Sequence, residues 1–212
     1  MADKYEWRKR EADIYWLKAT PTITQLPAQK FIMLQGSGNP NDNPVFAAQV
    51  AALYAVSYAI KMAPKKGIEF PGAYDYTVYP LEAVWSYASE TQGKTKVTLT
   101  KDDFSYTLMM KQPDFVDEAV FAQGLALATK KISPELAEQM SFTKIDEGLV
   151  AQVLHTGTFD SEAATFAKLD LWLADNGYER TSFTHKEIYL SDPKRVAADK
   201  QKTILRVNVI RK

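Results

Sequence analysis

Glu187 is the residue of this sequence best placed to do chemistry. It lies inside RTSFTHKEIYLS, a β-branched and aromatic run that reads as a strand. Strand side chains alternate, so Phe183, His185, Glu187 and Tyr189 share one face and Thr184, Lys186, Ile188 and Leu190 the other. A carboxylate among aromatic rings is costly unless it meets water, a cation or a donor. In an apolar cleft its pKa rises, which suits a general base or an anion that receives a cation. The plainer reading is a solvated face, or an ion pair with a basic neighbour such as Arg206. Glu82, in YDYTVYPLEAVWSYA, is the second strand-borne carboxylate. Alternation gives it Val78, Pro80, Val84 and Ser86 as neighbours and sets it opposite Tyr79, Leu81, Ala83, Trp85 and Tyr87. Only a bulge near Pro80 would bring Glu82 and Trp85 into one pocket. In FSYTLMMKQ, Phe104, Tyr106, Leu108 and Met110 line one face, either as a wall for a flat apolar ligand or as core beneath helices. His155 ends a strand and His185 stands two residues before Glu187. No motif supplies a serine nucleophile to either, and a hydrogen-bonded histidine is the plainer reading of both.

The composition narrows the chemistry. The 212 residues hold 26 Lys plus Arg and 26 Asp plus Glu, so the formal charge is zero, which argues against direct nucleic-acid binding through a broad basic face. There is no cysteine, hence no disulfide, thiol nucleophile or thiolate metal site, and two histidines are too few for an all-protein zinc site. No metal and no cofactor is expected. GSGNPNDNP lacks both the dinucleotide fingerprint and the lysine of a phosphate loop. The charged N-terminus has no apolar signal region, and no apolar run of about 20 residues reads as a bilayer span, so a cytoplasmic protein without a membrane partner is expected.

These residues need elements to position them, and the elements read as a repeat. Residues 1–27 are polar and form a leader packed on the domain. FIMLQGSG is a short strand, and Asn43-Pro44 opens a helix carrying Phe46, Val50, Leu53 and Ile60, which stops before Pro64. Two strands follow, joined by a turn that holds Gly93, Lys94 and Lys96. The second half repeats this order. LVAQVLHTG is a strand; Asp160 or Ser161 caps a helix with Phe166, Leu169, Trp172 and Leu173 inward; Asn176-Gly177 stops it; and two strands close the chain. Repeat 1 covers about 28–113 and repeat 2 about 146–212, with a mostly helical connection at 114–145 broken at Ser133-Pro134. A weak echo, LEAVWS against KEIYLS, agrees with the matched order. The expected fold is α+β, a pseudo-two-fold duplication of a strand–helix–strand–strand unit. Helices lie on one side of antiparallel sheets, and a ligand groove is expected between the units on the other side.

From about Ala28 to Lys212 the chain resembles the GyrI-like small-molecule-binding family. The segments that carry the resemblance are DYTVYPLEAVWS, YTLMMKQPDFV, EGLVAQVLHTGTF, LADNGYE, HKEIYLSDPKR and KTILRVNVIRK. The resemblance implies a pseudo-two-fold fold and a groove for lipophilic, often cationic aromatic compounds. It also maps the family's buried ligand-facing glutamate onto Glu187. A stand-alone subfamily that the chain resembles hydrolyses cyclopropanoid alkylating natural products within an aromatic cage, giving bacterial cells protection. Other members sense ligands while fused to DNA-binding helices, or bind a protein such as DNA gyrase. Three departures stand out. Val84-Trp85-Ser86 replaces a pair of tryptophans, Lys186 separates His185 from Glu187, and Phe104 and Tyr106 stand where tryptophan is common.

The resemblance therefore implies a cofactor-independent hydrolase with Glu187 as general base. Its ligand-binding set is Tyr189, Tyr106, Phe104, Met110, Trp85, Tyr79, His155, Phe183 and Glu82, with Tyr79 a candidate donor to a carbonyl oxygen. The expected partner is a hydrophobic planar small molecule, and the expected state a monomer or weak dimer. The alternatives are sequestration of a lipophilic cation, with Glu187 as counter-charge, or a gyrase-inhibitor-like interaction module. Too few residues precede position 28 for a helix-turn-helix domain, so a fused regulator is not expected.

Overall fold

A computed structural model describes residues 4–15, 18–87 and 100–212. The turn expected around Gly93 lies outside the described residues. The elements are α1 (Trp7–Arg10), β1 (Thr22–Leu26), β2 (Gln29–Ser37), α2 (Pro44–Met62), β3 (Leu81–Tyr87), β4 (Phe104–Lys111), α3 (Glu118–Ala128), α4 (Pro134–Gln139), β5 (Ser141–Ile145), β6 (Gly148–Thr156), α5 (Glu162–Asp175), β7 (Tyr178–Arg180), β8 (His185–Tyr189) and β9 (Lys202–Arg211). The strands form one antiparallel sheet in the order β1-β6-β9-β8-β3-β4-β2-β5, with β7 paired to the far end of β9.

This order is a palindrome about the β3–β8 pair: β8-β9-β6 on one side answers β3-β4-β2 on the other. The units β2-α2-β3-β4 and β6-α5-β8-β9 are thus the duplicated pair, joined where Ala83 faces Glu187 and Trp85 faces His185. Three strands escaped the sequence reading: the three-residue β7, and two at the outer edges of the sheet. β1, inside the stretch read as leader, pairs with β6 of the second unit, and β5, inside the connection read as helical, pairs with β2 of the first. Each unit thereby lends its preceding strand to the outer edge of the other. Both strands are short, which is why their period-2 signal is weak.

The local signals explain the helices. The Asn43 side chain accepts from the Val45 amide at 2.9 Å, and Pro44 occupies the first helical turn. α2 buries Leu53, Val56 and Ile60 against Ile32, Leu34, Leu108 and Met110 of the sheet. α3 covers α2 so closely that a Cβ at Gly124 would stand 2.5 Å from Ile60 Cγ1. α5 buries Leu169 and Leu173 against Ala151, Val153 and Leu205. The sequence reading found no bilayer-length apolar run, yet residues 44–66 are long and apolar enough to cross a membrane by length and composition. Here that run is the core helix of the first unit.

The second sheet face is covered by residues 5–15. Trp7, Tyr15 and Tyr79 pack on Ile188, Leu190 and Ile204. Around them lies a buried ionic network. Glu11 takes Lys111 and the Tyr79 hydroxyl, Lys186 bridges Glu82 and Glu147, and Arg206 Nη1 donates to Glu147 Oε2 at 3.0 Å. Arg206 Nη2 also donates to the carbonyl of Ile14 at 3.0 Å, which ties the N-terminal segment to the sheet.

Candidate functional site

β3 and β8 meet at the pseudo-two-fold axis, and alternation decides what each shows to each face. On the helix-bearing face β8 presents His185, Glu187 and Tyr189, beside Ala83 and Trp85 of β3 and Phe104 and Tyr106 of β4. The groove is expected on the face away from the helices, and Glu187 does not open onto that face. Glu187 lies on the helix side, in the gap between α2 and α5, because Trp85 and Tyr106 on its face belong to the core under α2.

A chain of hydrogen bonds fixes the carboxylate. Trp85 Nε1 donates to the Tyr189 hydroxyl at 3.0 Å, and that hydroxyl donates to Glu187 Oε2 at 2.8 Å. His185 Nε2 stands 3.2 Å from Glu187 Oε1. Burial and the Glu187 charge push the Tyr189 phenol well above its usual range, so it remains a donor. The first residue of α5, Glu162, is buried beside Glu187, and its Oε1 has no hydrogen-bond partner. Its pKa is pushed up to about 9, by burial first and then by the Glu187 charge and hydrogen bond. Glu162 therefore keeps its proton at neutral pH.

Aromatic rings surround this pair. Phe46 of α2 lies 6.1 Å from Trp85 and 5.2 Å from Tyr106, centroid to centroid. Phe104 and Tyr106 lie 5.4 and 5.3 Å from Trp85. Phe159 meets Tyr189 edge-on at 5.8 Å, and Phe166 meets His185 at 4.8 Å. The Tyr106 hydroxyl is buried and has no partner. Its ring lies so close to β2 that a Cβ on Gly36 would be 2.4 Å from it.

The structure thus brings Glu187, Tyr189, Trp85, Tyr106 and Phe104 together and separates the rest. Tyr79 is on the opposite face, stacked on Trp7 and donating to Glu11, because it precedes β3 and joins the N-terminal cluster. Glu82 also faces that side, 3.1 Å from Lys186 Nζ and 3.4 Å from the Tyr15 hydroxyl; β3 has no bulge to turn it. Arg206, weighed as a partner for Glu187, is on that side too, bound to Glu147. Met110 is core beneath α2. Phe183 precedes β8 and is 76% exposed. His155 points into the turn before α5 and contacts Thr165 and Thr158.

Sequence reasoning missed Phe46, Phe159 and Glu162. Phe46 had the apolar helical spacing of a core residue. A glutamate in a first helical turn reads as a complement to the helix dipole, so only tertiary structure shows Glu162 against a second carboxyl. A cavity of about 190 Å³ lies on the opposite face, lined by Val84, Met109, Glu147, Lys186, Arg206 and Asn208 among others. His185, next to Glu187 on β8, is also in its lining, and Lys186 and Arg206 there both pair with Glu147.

No curated protein matches the chain. Among solved structures, a hydrolase from Listeria innocua is 30% identical, with a TM-score of 0.85 over 98% of this chain and 100% of that one. A hydrolase encoded by lin2189 of the same organism is 32% identical, with the same TM-score and coverage. The C-terminal domain of EcmrR shares the fold alone, at 14% identity and a TM-score of 0.53 over 91% of this chain and 98% of that one. The profile of the GyrI-like small molecule binding domain matches residues 19–209, both duplicated units and the strand β1 before them. With that span and the palindromic sheet in agreement, the chain belongs to the GyrI-like small-molecule-binding family.

Proposed function

We propose that this protein binds planar lipophilic compounds against Trp85 and hydrolyses the activated cyclopropane of cyclopropanoid alkylating agents. The observation that carries this reading is the buried Glu187 carboxylate beside Glu162, within a ring of aromatic side chains. The hydrolase relatives at 30% and 32% identity support the reaction class. Flat rings slide between Trp85, Tyr106 and Tyr189 as Phe46 and the half-exposed Phe159 move aside. Glu187 takes a proton from water while the water oxygen bonds to the cyclopropyl methylene carbon. The ring carbon–carbon bond breaks, and its electron pair passes into the conjugated dienone, which becomes a phenolate and then takes up a proton. Tyr106 replaces Tyr79 as the donor to that carbonyl oxygen, since its buried hydroxyl is unpartnered on the correct face. The aromatic walls exclude bulk water and strengthen both interactions.

The test is incubation with a cyclopropane-bearing alkylator and with a planar analogue lacking the ring, followed by mass spectrometry. The reading expects a product one water heavier from the first compound alone. A second reading, capture of a lipophilic cation, draws on the carboxyl pair having no Lys or Arg contact among the described residues. It expects tight binding of a planar cation, rejection of the neutral alkylator and no product.

A further inference from the structure

His155 is buried, 4% exposed, at the end of β6, and its contacts all run toward the start of α5. Its Nδ1 lies 2.8 Å from Thr165 Oγ1, one turn into the helix. Its Nε2 lies 3.0 Å from the carbonyl of Thr158 and 3.2 Å from Ser161 Oγ. A carbonyl only accepts, so Nε2 carries the hydrogen and Nδ1 accepts from Thr165, an assignment made from the network. Ser161 commits its own proton to the Thr158 carbonyl at 2.7 Å. Gly157 makes the close packing possible. Its φ is +141°, and a Cβ there would stand 2.9 Å from Ser161 Oγ and 3.4 Å from His155 Nε2.

One imidazole therefore ties a strand end, a tight turn and the first helical turn together. That turn carries Phe159, which meets Tyr189, and it ends at Glu162, which meets Glu187. The contact needs holding. Ser161 makes no side-chain cap to the helix, and two carboxyls brought together in a dry place repel whenever both ionise. The remaining charged group of the turn, Asp160, points outward to Lys101 at 2.8 Å. From β8, Glu187, His185 and Tyr189 are the titratable groups on this side.

We propose that His155 is a positioning residue of the reaction: by clasping the 158–162 turn it holds Glu162 against Glu187 and Phe159 against Tyr189. The proposal rests on reading the carboxyl pair as the reacting site. Its test uses one readout that needs no substrate. The infrared carbonyl stretch of a protonated buried carboxyl at neutral pH, assigned by its loss in Glu162→Gln, reports the Glu162 proton directly. His155→Gln can still donate to the Thr158 carbonyl, whereas His155→Asn is too short and keeps only the Thr165 side. The expected result is that His155→Asn loses the protonated-carboxyl band and loses kcat by roughly tenfold or more with KM little changed. His155→Gln retains most of both. Thr165→Val, a milder cut at the other ring nitrogen, shifts the band in the same direction if the Asn variant does not fold. A natively folded His155→Asn protein that keeps the band, or a Thr165→Val protein with an unaltered band where the Asn variant fails to fold, overturns the proposal. If the wild type shows the band but no hydrolysis, the reaction assignment fails and the infrared comparison still decides the role of His155.

Discussion

Replacing Glu162 by Gln should stabilise the protein at neutral pH, although it alters a buried polar residue. Folding raises the Glu162 pKa from 4.5 to about 9. Between those values the folded state holds a proton that the unfolded state has released, so stability falls as pH rises through that window. At pH 7 the gap from 4.5 is about 2.5 units, and at about 1.36 kcal/mol per unit this group costs roughly 3 kcal/mol. Glutamine keeps the shape and the neutral hydrogen bond to Glu187 without that cost. The gain should therefore be about 3 kcal/mol at pH 7, near zero below pH 4.5 and largest above pH 9. For a domain of this size the pH 7 gain is a rise in Tm of roughly 6–12 °C. Thermal unfolding followed by circular dichroism from pH 4 to 10 measures it. Parallel pH–Tm curves for the two proteins would refute the raised Glu162 pKa.

Two further perturbations probe the aromatic walls. Gly36→Ala places a methyl group on the Tyr106 ring, 2.4 Å away, so the ring must move. Chemical denaturation should show a loss of about 1–3 kcal/mol, and a fluorescence titration weaker binding of a planar ligand. Tyr189→Phe removes the hydroxyl that joins Trp85 Nε1 to Glu187 Oε2. Leaving the indole N–H and a carboxylate oxygen unpaired should cost about 1–3 kcal/mol in stability, with a fall in kcat seen in steady-state assays.

The duplication was legible because each unit spells out its own strand, helix cap and paired strands, as Asn43-Pro44 and Asn176-Gly177 do. Glu187 was legible because a carboxylate alternating with His185 and Tyr189 breaks the expected pattern of a buried strand. What lay beyond reach was the choice between sheet faces. Alternation separates Glu82 from Trp85, yet it does not say which face the helices cover. That depends on α2 and α5 packing on one side and residues 5–15 closing the other. Tyr79 was misplaced for the same reason, since its partners Trp7 and Glu11 come from the N-terminal segment. Glu162 and Phe159 were hidden because the turn that carries them reaches β8 only through tertiary packing.

The most direct test of the central claim compares Glu187→Gln with the wild type in a single-turnover hydrolysis of a cyclopropane-bearing alkylator, with ligand binding measured in parallel by tryptophan fluorescence. Glutamine keeps the size of the side chain and removes the base. The account predicts binding within a few-fold of wild type and hydrolysis slower by roughly a hundredfold or more. A variant that binds and hydrolyses as the wild type does would contradict it.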